Sequence, residues 1–134
     1  MITVLFACVH NAGRSQIAAA LFNRYADPAK ARAVSAGTRP ATRVHPEVVI
    51  LMRAQGVDLS DQVPQLLTEQ LAAGVHWLIT MGCGDQCPVV PGARVDDWPI
   101  RDPKGQPPDA VASIVADVDR RVRRLVDDNR WRVL

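Results

Sequence analysis

The strongest constraint on the fold is an alternation of short apolar runs with segments of helical periodicity. The run from Val75 to Met81 (VHWLITM) is the most apolar in the chain, and Ile2 to Ala7 is a second run rich in β-favouring residues. A continuous apolar run indicates a strand of a parallel sheet that is covered on both faces. We therefore expect strands of a buried parallel sheet with helices between them.

The predicted elements alternate along the whole chain. Four strands are expected, at Ile2–Ala7, Arg32–Ala36, Val75–Met81 and Arg94–Asp97. Four helices are expected, at Ser15–Ala26, Pro46–Gln55, Thr68–Ala73 and Asp109–Asn129. Proline in the first turn and glycine beyond the last residue mark the second of these helices. The sequence predicts an α/β fold, a three-layer α/β/α sandwich with a four-stranded parallel sheet, in a single domain over residues 1–134.

Composition excludes several functional classes. With 48% hydrophobic and 22% charged residues, the chain has the apolar content of a folded domain and is not disordered. The 16 basic and 14 acidic residues give a net charge of +2 without a basic block, so we expect no nucleic-acid binding. We find no run of about 18 apolar residues that would span a membrane. The N-terminus lacks the basic lead of a secretory signal. We expect a cytoplasmic monomer.

The last predicted helix carries a cluster of basic residues opposite an apolar stripe. This cluster consists of Arg120, Arg121, Arg123 and Arg124. It could bind a phosphate, but aspartates at 117, 119, 127 and 128 lie four positions from arginines of the cluster, which is the spacing of surface ion pairs. We favour a solvated surface.

A cysteine and an arginine flank the loop between the first strand and the first helix. The loop reads Cys8-Val9-His10-Asn11-Ala12-Gly13-Arg14-Ser15. A loop that enters a helix N-terminus points successive N–H groups inward and binds tetrahedral oxyanions, and residues 9–15 are predicted to form this cradle. Gly13 is expected to let the backbone curl where a side chain would obstruct it, and Arg14 to close over the anion with a planar fork. The same positive field favours the thiolate of Cys8, to which Ser15 can donate a hydrogen bond.

The three cysteines Cys8, Cys83 and Cys87 cannot all be paired, so at least one thiol is free. Cys83 and Cys87 follow the most apolar strand, and the carboxyl ends of parallel strands meet at one edge of a sheet. Their spacing is that of neighbours on one helical turn and suits a disulfide. The alternative is a zinc site with His10, His45 or His76, but no second Cys-x-x-Cys or histidine pair completes one, and no metal is predicted. The backbone N–H of His10 is expected to matter more than its ring.

These motifs resemble those of a known family. Cys8-x5-Arg14-Ser15, the following Gln16 and alanine-rich helix, and Ser35-Ala36-Gly37-Thr38 resemble the low-molecular-weight tyrosine phosphatase superfamily. Met81-Gly82-Cys83-Gly84-Asp85-Gln86-Cys87-Pro88 and Trp98-Pro99-Ile100-Arg101-Asp102-Pro103 are similar to segments of the thioredoxin-coupled arsenate reductases within it. The resemblance runs from the first strand to the last loop and implies a low-molecular-weight phosphatase-like fold.

The resemblance also implies a mechanism. Cys8 would attack arsenate while Asp102 protonates the departing oxygen. Cys83 would then attack Cys8 and release arsenite, and Cys87 would attack Cys83, leaving a Cys83–Cys87 disulfide for an external thiol system. The expected partners are arsenate, with phosphate or sulfate as competitors, and thioredoxin. No cofactor is expected to be bound.

Other functions stay open at this point. A tyrosine phosphatase would need only Cys8, Arg14 and Asp102, but Lys104-Gly105-Gln106 lacks the aromatic rim that such phosphatases carry after the acid. Some relatives pass the adduct to mycothiol or glutathione, and a non-catalytic oxyanion-binding protein would not need Asp102. The glutamate that helps relatives hold potassium is missing from the stretch Gln16–Ala20, so no potassium requirement is predicted.

Overall fold

A computed structural model of the chain describes residues 1–83 and 90–133. The strands are β1 (Ile2–Cys8), β2 (Ala31–Gly37), β3 (Trp77–Thr80) and β4 (Arg94–Asp97). The helices are α1 (Arg14–Tyr25), α2 (Pro46–Ala54), α3 (Glu69–Ala72) and α4 (Pro108–Asp128). Every predicted element is present, and the ends differ from the prediction by at most two residues.

The four strands form one parallel sheet in the order β2-β1-β3-β4. In the register of β1 with its neighbours, Cys8 lies opposite Gly37 of β2, and Ala7 lies opposite Thr80 of β3. The carboxyl ends of β1, β2 and β3 therefore meet at one edge, as predicted for an open α/β sheet. The predicted α/β fold with a four-stranded parallel sheet is confirmed.

The two faces of the sheet bury different parts of the chain. Because side chains alternate along a strand, Phe6 and Cys8 of β1 face the layer that contains α1, α2 and α4, whereas Leu5 and Ala7 face the layer that contains α3. The first layer is thick, and its ring contacts include Phe6 on Trp98, with centroids 5.5 Å apart. In the described residues, the only helix of the second layer is the four-residue α3. The three layers are thus unequal.

The arginine cluster of α4 is largely occupied by acidic neighbours. Asp117 pairs with Arg121 at 3.1 Å and Asp119 with Arg123 at 2.8 Å, as their spacing predicts. Asp127 instead pairs with Arg132, beyond the helix, at 2.6 Å. These contacts support the interpretation of α4 as a solvated surface. In the part of the chain that is described, no helix is long and apolar enough to span a bilayer.

Candidate active site

The loop between β1 and α1 is anchored from outside by the segment after β2. The carbonyl oxygens of Val9, His10 and Ala12 accept hydrogen bonds from the backbone N–H groups of Arg39, Ala41 and His45, at 2.8, 3.0 and 2.8 Å. Because these carbonyls point outwards, the N–H edge of the loop is turned towards its interior. The loop thus has the orientation expected of an anion cradle.

Asn11 makes the sharpest bend of the loop. Its φ is 50°, in the left-handed region, and the residue is fully buried. Its side-chain oxygen accepts the backbone N–H of Gln65 at 2.9 Å and the amide of Gln16 at 3.2 Å. Asparagine tolerates this backbone region better than most residues, and the two hydrogen bonds fix which side of the amide is the acceptor.

The orientation of Asn11 decides the direction of the hydrogen bonds that reach Cys8. The Asn11 amide nitrogen donates to Ser15 Oγ at 2.7 Å, and Ser15 Oγ lies 2.9 Å from Cys8 Sγ. Since Ser15 Oγ already accepts a hydrogen bond from Asn11, its own hydroxyl hydrogen is available to be donated to the sulfur. This arrangement stabilises negative charge on a thiol that is only 2% exposed.

Gly13 occupies a position where a side chain would be obstructed, as predicted. A Cβ at Gly13 would lie 2.8 Å from the ring of Pro103 and 3.3 Å from that of His45. The expectation that a side chain would obstruct this position was correct, but the obstruction comes from the loop after β4 and the start of α2.

Arg14 joins three segments at the mouth of the loop. Its Nη1 donates to the carbonyl of Ile100 at 3.3 Å, and Nη2 lies 3.9 Å from the carboxylate of Asp102. Gly82, with φ of 93°, lies so close that a Cβ there would overlap the guanidinium. The structure therefore brings the predicted arginine and the predicted acid together, and adds Gly82 to them.

Asp102 is at the exposed side of this group. Its side chain is 42% exposed, compared with 11% for that of Arg14. Its Oδ1 accepts the backbone N–H of Lys104 at 3.0 Å, which is a turn stabilised by an aspartate. By contrast, all residues of β4 are exposed, including Asp96 and Asp97, as expected of the solvated end of a strand.

Cys83 lies at the same sheet edge as Cys8 but in the other layer. It is 5% exposed, it packs with Leu5 and Ala7, and its sulfur is 3.9 Å from the carbonyl oxygen of Ala7. Cys87, and with it the predicted helical-turn spacing of Cys83 and Cys87, lies outside the described residues. Two of the three cysteines of the predicted relay are thus located at this edge.

The histidines have separate environments. His10 Nδ1 is 3.1 Å from the carbonyl oxygen of Arg39, and His76 Nδ1 accepts the N–H of Thr3 at 3.0 Å. His45 is half-buried, and this burial lowers its pKa, although the nearby Asp102 and Glu47 act in the opposite direction. Within residues 1–83 and 90–133, no three potential ligands are close enough to hold a metal.

The structure also contains site contacts that the sequence did not indicate. Gln65 N–H bonds Asn11, Gly82 packs on Arg14, and Glu47 Oε1 accepts the N–H of Gly105 at 2.9 Å. Each joins residues far apart in the sequence. The only local signal was the placement of Glu47 in the first turn of a helix, where a carboxylate is favoured.

The fold and the site define a class of α/β proteins in which a cysteine and an arginine flank the first strand-to-helix loop. The family model of low molecular weight phosphotyrosine protein phosphatases matches residues 3–130. The chain belongs to this family.

Three similar proteins are named as arsenate reductases. A putative arsenate reductase of Halobacterium salinarum is 35% identical over 92% of this chain and 89% of its own length. A glutaredoxin arsenate reductase of Synechocystis is 30% identical, with coverages of 92% and 95%. A solved thioredoxin-dependent arsenate reductase of Corynebacterium glutamicum is 41% identical, with a TM-score of 0.81 over 96% of this chain. This chain spans 61% of the length of that protein.

Proposed function

We propose that this protein is an enzyme that reduces arsenate to arsenite by a thiol relay. The observation that carries the proposal is the position of Cys83, whose sulfur is 3.9 Å from the carbonyl of the residue before Cys8. A phosphatase needs one cysteine at this edge, whereas a reductase needs a second one to take up two oxidising equivalents. The names of the similar proteins support the same activity.

Oxyanion binding is the first step. The inward N–H edge of residues 9–15 and the N-terminus of α1 supply partial positive charge to a tetrahedral anion. Arg14 leaves its contact with Ile100 and donates to two oxygens of the anion. Phosphate and sulfate have the same shape and compete for this site.

Adduct formation follows. The thiolate of Cys8 attacks arsenic and forms a sulfur–arsenic bond, while one arsenate oxygen departs as water. Asp102 supplies a proton to this oxygen, which is otherwise a poor leaving group. Ser15 donates to the sulfur until the new bond forms.

Electron transfer to arsenic uses Cys83. The thiolate of Cys83 attacks Cys8 Sγ, a disulfide forms between the two cysteines, and the electron pair of the sulfur–arsenic bond stays on arsenic. Arsenic(V) becomes arsenic(III), and arsenite leaves. Cys87 then attacks Cys83, which releases Cys8 as a thiolate and leaves a Cys83–Cys87 disulfide.

An external dithiol returns the enzyme to its reduced state. We favour thioredoxin, because a similar solved protein is thioredoxin-dependent, while the relative named for glutaredoxin keeps a glutathione- or mycothiol-based route as the alternative. Such a cycle requires reduced thiols, so we place the protein in the cytoplasm. We propose that it acts as a monomer.

Phosphatase activity is the second candidate function. Cys8, Arg14 and Asp102 suffice for hydrolysis of a phosphate ester, and the matching family model is that of phosphatases. Lys104-Gly105-Gln106 offers no aromatic side chain to hold a tyrosine ring, which disfavours a phosphotyrosine substrate.

The proposal is tested by following NADPH consumption with arsenate, thioredoxin and thioredoxin reductase. The wild type consumes NADPH, and Cys83→Ser stops this while leaving any hydrolysis of p-nitrophenyl phosphate in place. Arsenate turnover by a variant with both Cys83 and Cys87 replaced would contradict the relay.

A further inference from the structure

The turn that carries Asp102 is held mainly by contacts of its neighbours. The carboxylate of Asp102 is 42% exposed, and its nearest cation is Arg14, at 3.9 Å. A proton donor acts efficiently only when it is within about 3 Å of the atom that it protonates. The position of Asp102 therefore depends on what fixes the backbone of residues 102–105.

One contact fixes the far side of this turn. Glu47, in the first turn of α2, accepts the N–H of Gly105 through Oε1 at 2.9 Å. Within the turn, Gln106 N–H donates to the carbonyl of Pro103 at 3.1 Å. The Glu47–Gly105 hydrogen bond ties this turn to a helix on the other side of the site.

The same end of α2 is also tied to the cysteine loop. The N–H of His45 donates to the carbonyl of Ala12 at 2.8 Å, and the rings of His45 and Pro103 both occupy the space that Gly13 leaves open. The start of α2 therefore bridges the loop of Cys8 and the turn of Asp102.

We propose that Glu47 is a positioning residue, which holds the turn of residues 102–105 so that the Asp102 carboxyl faces an oxyanion bound between Cys8 and Arg14. This inference rests on the proposed function, because it assigns Glu47 a part in the protonation step. Glu47 itself touches neither the oxyanion nor Cys8 and acts through Gly105.

Glu47 is ionised, as an acceptor for the N–H of Gly105 should be. Burial acts to raise its pKa, but the hydrogen bonds from the N–H groups of Gly105 and Glu47 itself, together with nearby His45, outweigh burial and lower it. The carboxylate is thus ionised at neutral pH and is a pure acceptor for Gly105.

The first test compares two substitutions of Glu47 in arsenate reduction. Glu47→Ala removes the acceptor and is expected to lower kcat about tenfold, a part of the 10²–10⁴-fold that a positioned acid supplies. KM for arsenate and the inhibition constant of inorganic phosphate stay within about twofold, because Arg14 and the loop are unchanged. Glu47→Gln keeps an oxygen acceptor and restores most of kcat. Glu69→Ala, in the exposed first turn of α3, is the matched control.

The second test repeats Glu47→Ala in an Asp102→Asn background. If Glu47 acts through Asp102, Glu47→Ala lowers kcat only slightly in the Asp102→Asn background, because the two effects are not additive. An equal loss of kcat in both backgrounds would overturn the inference. Inhibition by phosphate that weakens in parallel with the fall in kcat would also overturn it. If the wild type does not turn over arsenate, the proposed function is overturned instead. The same pair of comparisons, Glu47→Ala in the wild-type and Asp102→Asn backgrounds, is then made on p-nitrophenyl phosphate hydrolysis and decides the role of Glu47. A wild type that turns over neither substrate overturns both.

Discussion

Cys8 and Cys83 lie at one edge of the sheet but in contrasting surroundings. Cys8 is on the helical face, at the start of a loop whose carbonyls and side chains are bonded to the segments around it. Cys83 is on the opposite face, packed with Leu5 and Ala7 in the thin layer of α3. In the proposed function this difference would separate two tasks, because binding an oxyanion needs fixed donors, whereas a relay needs a cysteine that can change its partner.

In the proposed relay, the two sulfurs must meet although the sheet edge lies between them. Cys83 reaches Cys8 only if the segment after β3 moves past the end of β1, since neighbouring side chains of β1 point to opposite faces. Gly82 precedes Cys83 directly and packs on Arg14. In the proposed relay, movement of Cys83 would therefore disturb the packing of Gly82 on Arg14, which is proposed to close over the anion.

The largest expected effect is at Asn11, in the loop that begins at Cys8. Asn11→Ala removes the acceptor of the Gln65 N–H and places alanine at a φ of 50°. We expect a loss of about 2–4 kcal/mol in the free energy of unfolding, from the unpaired, partly buried N–H of Gln65 and backbone strain together. Asn11→Gly should recover about 1–2 kcal/mol of this, because glycine accepts the left-handed conformation. Urea unfolding of the two variants measures both contributions, and equal stability of the variants would contradict the strain.

A smaller effect is expected at Gly82, which precedes Cys83. Gly82→Ala forces a side chain against Arg14 and should weaken inhibition by inorganic phosphate roughly tenfold, the equivalent of one displaced charge-assisted hydrogen bond. Gly74→Ala is the matched control, since Gly74 has a similar φ of 79° but no neighbour within 4 Å of an added Cβ. If both variants bind phosphate like the wild type, the link between Arg14 and the Cys83 segment is wrong.

The smallest effect concerns pH and His45. Burial lowers the pKa of His45 in the folded state, so the unfolded state binds more protons as the pH falls below the ordinary histidine value of about 6.5. The stability contribution of neutral His45 is thus present above that pH and is lost on acidification. His45→Gln should reduce the fall in stability between pH 7 and pH 5, measured by urea unfolding. The same fall in stability in the variant as in the wild type would contradict this assignment.

The sequence predicted the local part of the site better than the long-range part. The run from Cys8 to Ser15 could be interpreted because a strand, a loop and a helix follow one another there, and the Cys8–Ser15 contact was expected. What would obstruct a side chain at Gly13 was not predicted, because the ring that fills that space belongs to Pro103, far along the chain. The hydrogen bonds of Asn11 with Gln65 and of Glu47 with Gly105 likewise depend on how distant loops pack, which no local pattern encodes.

The fold was predicted closely for a similar reason. Apolar runs mark β1 and β3 directly, and their alternation with helices predicted a parallel sheet. The order of the strands in that sheet was not predicted. The unequal thickness of the two layers was not predicted, because the apolar stripes of α1 and α4 do not reveal which face they cover. The face of the sheet that these helices cover decides which layer each cysteine lies in.

The most direct test of the relay is a single turnover of a Cys87→Ser variant with arsenate and no external thiol, followed by mass mapping of its disulfides. We predict one arsenite released per protein molecule and a disulfide between Cys8 and Cys83. The Cys8→Ser variant, treated in the same way, should release none. Arsenite release with Cys8 and Cys83 both unpaired, or a requirement for added thiol before any arsenite appears, would contradict the relay.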